Sequence, residues 1–337
     1  MPVMSRPCHR AARIASFVLG LAALPAHAAE CQDIRPTSGF AGFQGIRRSG
    51  CYRVVASYDQ RQFFSFALGG RVSNGASSLI YLDAPDIELD LGGHTLSSSR
   101  GISGVELLRL QSNQRLVIRN GSISVDDADG NRSGPAVIAP ESPIANVHLL
   151  RNYAPVPPTF DHVEFLLENL HLKVGGIGVL LMGDGITIRH CTIEVEGENA
   201  IVIYGPHAVI EDNRIVYRHN NANPTLVTAT YAPTPGHYPQ VPAAIYLRAA
   251  EGAVVRNNTI EVAGPVAATG VALVDSPNAR LEGNRFDRAA TPYRLVGASE
   301  GLRFTGNRTL GGFLRAEAPL ADAAPAAASA PASEASR

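Results

Sequence analysis

Tyr204, Tyr246 and Arg248 stand in neighbouring segments of this chain and are of types that bind sugars and acids. Tyrosine rings stack on sugar faces, and a guanidinium grips a carboxylate in a two-pronged contact. His219 and His237 lie between them in the sequence and supply side chains that accept a proton near neutral pH. A second group, Asp126, Asp127 and Asp129 with Asn131, offers oxygen ligands suited to calcium. It lacks the full twelve-residue calcium-loop pattern, and solvated loop acids are its plainer explanation. Hydrolysis of a glycosidic bond needs two carboxyl groups placed across that bond. The nearest acids are Asp184 and Asp275 on one side and Glu196 and Glu198 on the other. No paired-acid motif joins them, so hydrolysis is disfavoured.

The elements that must position these residues are repeats. Short alternating apolar runs are joined at a polar corner that often carries Asn, as in Arg-Asn-Asn-Thr-Ile-Glu-Val over 256–262. Alternation marks strands with one buried face. Aligned corners form the column His94, Gly121, Leu170, Cys191, Asn213, Asn258, Asn284 and Asn307, at spacings of 27, 49, 21, 22, 45, 26 and 23. A period in the twenties is that of a stacked solenoid, whose rungs share one core. The spacings of 49 and 45 stand for two turns or for one turn with a long insertion. Four Asn in one column predict an internal amide ladder, since an amide both donates and accepts. The expectation is an all-β solenoid over 78–314, capped by 29–77, with an Ala/Pro/Ser tail over 315–337. Two insertions, over 126–161 and 217–242, are expected to leave after the strand that follows the corner column and so to emerge along one edge, as walls stiffened by Pro and Tyr.

The first residues carry Arg6, Arg10 and Arg13, then an apolar run over 14–24 and Pro25-Ala26-His27-Ala28. This is the pattern of a secretory signal peptide over 1–28, and the run is too short to span a bilayer. Export to the periplasm or beyond is the expectation, with no membrane span. Removing three of the 29 basic residues and none of the 30 acidic ones leaves a formal charge of −4. That balance offers no footing for nucleic acid, and the arginines read as scattered. Cys31 and Cys51 are close enough in sequence to pair in an oxidising compartment. Cys191, in the corner column, reads as a small buried filler.

The repeats, together with Ile87-Glu88-Leu89-Asp90-Leu91-Gly92-Gly93-His94-Thr95-Leu96, resemble the right-handed parallel β-helix proteins of the pectate-lyase-like superfamily. The resemblance covers about 51–313 and rests on architectural residues. It implies three strands per rung, with extended polysaccharide bound along the first and long loops as cleft walls. In that register Val179, Ile201, Ile203, Ile245 and Val271 point inward. Arg109, Gln111, Leu180, Met182, Val202, Tyr204, Tyr246, Arg248, Val274 and Arg294 point outward. Lyases of this kind often hold calcium with acids, which gives Asp126, Asp127 and Asp129 their candidate metal role. A metal-free variant would use Tyr204, Tyr246, His219 or His237 as base and Arg248 to neutralise the uronate.

Two functions follow as expectations. One is an exported β-helix protein that binds an acidic, uronate-containing polysaccharide in a first-strand cleft, with cleavage by β-elimination as its chemical form. The other is a non-catalytic envelope scaffold or surface-binding protein. Calcium is the one cofactor the residues suit.

Overall fold

The computed structural model describes residues 30–35, 44–60, 78–99, 103–107, 112–126, 136–139, 159–197, 199–218, 242–264, 268–298, 300–310 and 312–313. All described strands belong to one compact unit that starts at Cys31. Among them are no helices. The pairing is parallel throughout, apart from Arg308–Thr309 against Gly312–Phe313. Each rung contributes a first strand to a nine-stranded sheet and a second and third strand to an eighteen-stranded one. A representative rung has Val179–Met182, Thr187–Arg189 and Thr192–Val195. The next has Ile201–Tyr204, Val209–Glu211 and Arg214–Arg218. The coil therefore has three faces, and its core is the tube they enclose.

The alternating pattern places side chains as expected. Val179, Ile201, Ile203, Ile245 and Val271 all belong to the main core. Residues 44–59, read from sequence as cap, hold three strands in the same ladders: Gln44–Ile46 on Ser78–Leu82, Gly50–Val54 on Asp86–Asp90, and Tyr58–Asp59 on Thr95–Ser99. These strands are two to five residues long, so their periodicity is weak. Gln32–Ile34 extends the second-strand ladder further, and Cys31 is joined to Cys51 by a disulfide.

Both long spacings in the corner column are single turns. Gly121 pairs directly with Leu170, and Asn213 bonds directly to Asn258. The stretch over 126–161 does not leave as one loop. Val137–Ala139 forms a first strand within it, paired with Ser103–Leu107 and with Val179–Met182. Both insertions still begin after the strand that follows the corner column, at Asp126 and after Arg218, but the first is interrupted by this strand and is not a single loop. Three residues are too few for a periodic signal.

The corner column is the predicted ladder. Asn213 Nδ2 donates to Asn258 Oδ1, Asn258 Nδ2 to Asn284 Oδ1 and Asn284 Nδ2 to Asn307 Oδ1, each at 3.0 Å. Each acceptor oxygen also takes the backbone N–H of the Asn one rung before, at 3.0 Å. The second amide hydrogen goes to the carbonyls of Ile188, Ile210, Val255 and Leu281. The amides of Asn213, Asn258 and Asn284 are thus saturated, as a low-dielectric interior requires. Cys191 caps the column: its N–H donates to Asn213 Oδ1 at 2.9 Å, and its thiol lies 3.7 Å from the Leu167 carbonyl. The neighbouring corner positions take left-handed backbone, as at Asn257 and Gly283. A Cβ on Gly283 would stand 2.7 Å from Asn257 Oδ1 of the rung before, so a side chain there would have to displace that amide.

The arginines are not scattered on the second-strand face. In register, one column reads Arg53, Asp90, Arg119, Glu168, Arg189, Glu211, Arg256, Glu282. Charge alternates at every step. Arg189 Nε donates to Glu168 at 2.7 Å and Arg256 Nε to Glu211 at 2.6 Å. Along this column arginines and carboxylates face each other at each step, whereas in the adjacent column Arg280 stands beside Arg303.

Candidate functional site

First strands differ from the others in composition. Val179–Met182, Ile201–Tyr204 and Thr269–Val274 are almost continuously apolar, the pattern of strands buried on both faces. Their outward side chains form a second apolar cluster that includes Leu180, Met182, Val202, Tyr204, Tyr246 and Val274, with Phe160 packed against it. The outward register is therefore as expected. The open groove is not: Tyr204 is 2%, Tyr246 3% and Arg248 6% exposed. The sugar-stacking surface foreseen for these tyrosines is a dry face.

Within this face the polar groups are concentrated at one place. Tyr204 pairs with Arg248 and Val202 with Tyr246 on adjacent rungs. The Tyr204 and Tyr246 ring centroids are 6.3 Å apart, with planes tilted by 50°. Arg248 takes part in none of the ion pairs formed among the described residues, and its buried Nε lacks a hydrogen-bond partner among them. The buried Tyr246 hydroxyl is likewise without a partner there. Burial pushes the Tyr246 phenol up to about 12; Arg248 acts against that rise and Asp275 adds to it. A phenol so placed is a hydrogen-bond donor at neutral pH and a poor base. A buried guanidinium without an opposite charge costs several kcal/mol. A fully buried apolar side chain would instead stabilise by about 2 kcal/mol. The arrangement suits one anionic group that accepts from both Arg248 and Tyr246.

The remaining candidates fall elsewhere. His219, His237, Arg109, Gln111, Asp127 and Asp129 lie outside the described residues, and of Asp126 only its backbone pairing with Ser99 is described. Among the described residues no group of three or more His, Cys, Asp or Glu side chains is arranged to hold a metal ion. Asp184 is engaged by His207 Nδ1 at 2.7 Å, with His162 Nδ1 at 3.8 Å. Asp275 Oδ1 accepts the Ala298 N–H at 3.0 Å. His190 and His207 sit in left-handed corners, with φ of 53° and 55°. Cys191 is buried and unpaired, and its thiol is pushed up to about 11 by burial, which removes it as a nucleophile.

Residues 161–311 match the family described as right handed beta helix region. The chain carries a right-handed parallel β-helix. That match spans the β-helix rungs bearing the Asn ladder and Tyr204, Tyr246 and Arg248, and it concerns their architecture. A search of curated proteins gives no match.

Proposed function

We propose that this β-helix protein is exported and binds an acidic polysaccharide through its first-strand face, with Arg248 holding a uronate carboxylate. The observation that carries the reading is the buried guanidinium of Arg248, which no carboxylate of the described residues neutralises, beside the unpartnered Tyr246 hydroxyl. The charged N-terminal pattern and the Cys31–Cys51 disulfide support passage into an oxidising compartment.

Binding without cleavage is favoured within this reading. A phenol at about 12 is an inefficient base for the uronate proton at carbon 5. Retention of polygalacturonate, alginate and glucuronan by the purified chain tests binding, and ultraviolet absorbance of unsaturated ends tests elimination. Retention that disappears in Arg248→Met is expected, with no rise in absorbance. Retention of none of the polymers, or equal retention by the variant, overturns the proposal. A steady absorbance rise would convert the binder into a lyase.

A further inference from the structure

At the last two rungs like charges come together. Arg280 lies beside Arg303 on the second strands, and Arg285 lies beside Arg308 on the third. All four side chains are exposed. Like charges directly opposite each other on neighbouring strands oppose stability. The alternating column upstream avoids this by placing a carboxylate at the next step, as at Arg189 and Glu211. Here the acids run out instead. Glu282 lies 3.8 Å from Arg280 and Asp287 3.6 Å from Arg285, both longer than hydrogen bonds. In the final rung Thr305 stands in register with Glu282. Leu310 follows Thr309 there as Asp287 follows Phe286, its partner in register. Residues 279–310 thus hold six arginines and three acids, in a chain of formal net charge −1. Leu310 stands in the turn between Arg308–Thr309 and Gly312–Phe313. It is 70% exposed, the one large hydrophobic side chain so exposed among the described residues.

From this we infer that the C-terminal end of the coil docks on an anionic phospholipid surface, with the four arginines over the phosphates and Leu310 at the acyl boundary. Guanidinium groups take phosphate oxygens in two-pronged contacts. Rungs about 4.8 Å apart set the two arginine pairs side by side on the outside of the coil. An aliphatic side chain next to them has no task toward a polyanion dissolved in water, whereas a bilayer offers phosphate and hydrocarbon within the reach of neighbouring residues. The attraction is local, because at physiological salt exposed charges act over about 8 Å. Acids on distant rungs therefore do not cancel it. This surface is separate from Arg248, which is buried on the first-strand face, and it does not depend on polysaccharide binding.

Co-sedimentation of the purified chain with vesicles tests the surface, using phosphatidylcholine alone and phosphatidylcholine mixed with phosphatidylglycerol. Binding is expected to the mixed vesicles only and to weaken as salt is raised. Arg303→Glu combined with Arg308→Glu should lower affinity by about tenfold or more, and Leu310→Ser by about fivefold. Arg47→Glu combined with Arg48→Glu makes the same charge change at the opposite end of the coil and should leave binding within about twofold. Unfolding midpoints report the integrity of each variant. Arg280→Gln combined with Arg285→Gln, one rung earlier, replaces the first variant if that one is destabilised. Absence of binding to the mixed vesicles, or equal losses in the variants at the two ends, overturns the proposal. A loss confined to the arginine variants, with Leu310→Ser binding as the parent does, overturns membrane docking in favour of a soluble polyanion.

Discussion

Tyr204 and Arg248 stand beside each other on adjacent first strands, both buried, on a sheet face whose buried cluster is mostly apolar. A guanidinium kept there without a carboxylate to match it opposes stability, so its presence is most simply a binding requirement. Replacing it by a flexible apolar side chain of similar length should therefore stabilise the fold. Arg248→Met is expected to raise the unfolding free energy by about 1–3 kcal/mol, read from urea unfolding. A loss of similar size would show that Arg248 serves the fold, and the binding reading would lose its footing.

Tyr246 ties stability to alkaline pH. Its folded value is raised above the ordinary 10.0 to about 12, because burial disfavours the phenolate. The stabilising contribution is complete below pH 10 and is lost as pH rises toward 12, since the unfolded chain ionises first. Tyr246→Phe removes this dependence. Between pH 8 and pH 11 the wild-type chain should lose about 1 kcal/mol more than the variant, measured as the shift in urea midpoints. Equal losses would show that the phenol is not held in its neutral form.

The amide ladder is expected to be costly to interrupt. Asn258 accepts from the backbone and side chain of Asn213, and donates to Asn284 Oδ1 and the Ile210 carbonyl. Asn258→Ala strands those groups in a site that excludes water, at a cost of about 2–4 kcal/mol. Cys191→Ala, at the end of the column, removes only a weak sulfur donor and should cost less than half as much. Comparable losses in the two variants, by chemical unfolding, would contradict a cooperative ladder.

Cys191 should be silent in the native protein. With its thiol at about 11, only about one molecule in a thousand carries the thiolate at pH 8. Maleimide labelling of Cys191, followed by peptide mapping, should be slow in buffer and complete within minutes in denaturant. Rapid native labelling would place the thiol at the surface and contradict its position beneath the Leu167 carbonyl.

How much of this was legible in the sequence varies with the range of the forces involved. The repeat period, the Asn column and the inward choice of Ile201, Ile245 and Val271 are local patterns, because a strand's alternation is written into its own residues. So is the apolar outward side of Leu180, Met182, Val202 and Val274, the pattern of a first strand covered on both faces. The alternating Arg53 to Glu282 column was not legible, since its members lie between 21 and 49 residues apart and meet only when the register is set. Whether 49 residues made one turn or two was also undecidable from spacing, because loop length says little about where a chain returns.

The chain's own order of residues thus determined that it coils, which side of each strand points into the coil, and where amides must stack. Only the assembled coil decided that Arg248 lies buried without an opposing charge among the described residues, and that Tyr246 stays protonated beside it. The physical reason is that burial and ion pairing are properties of a side chain's surroundings, and here those surroundings are supplied by other rungs.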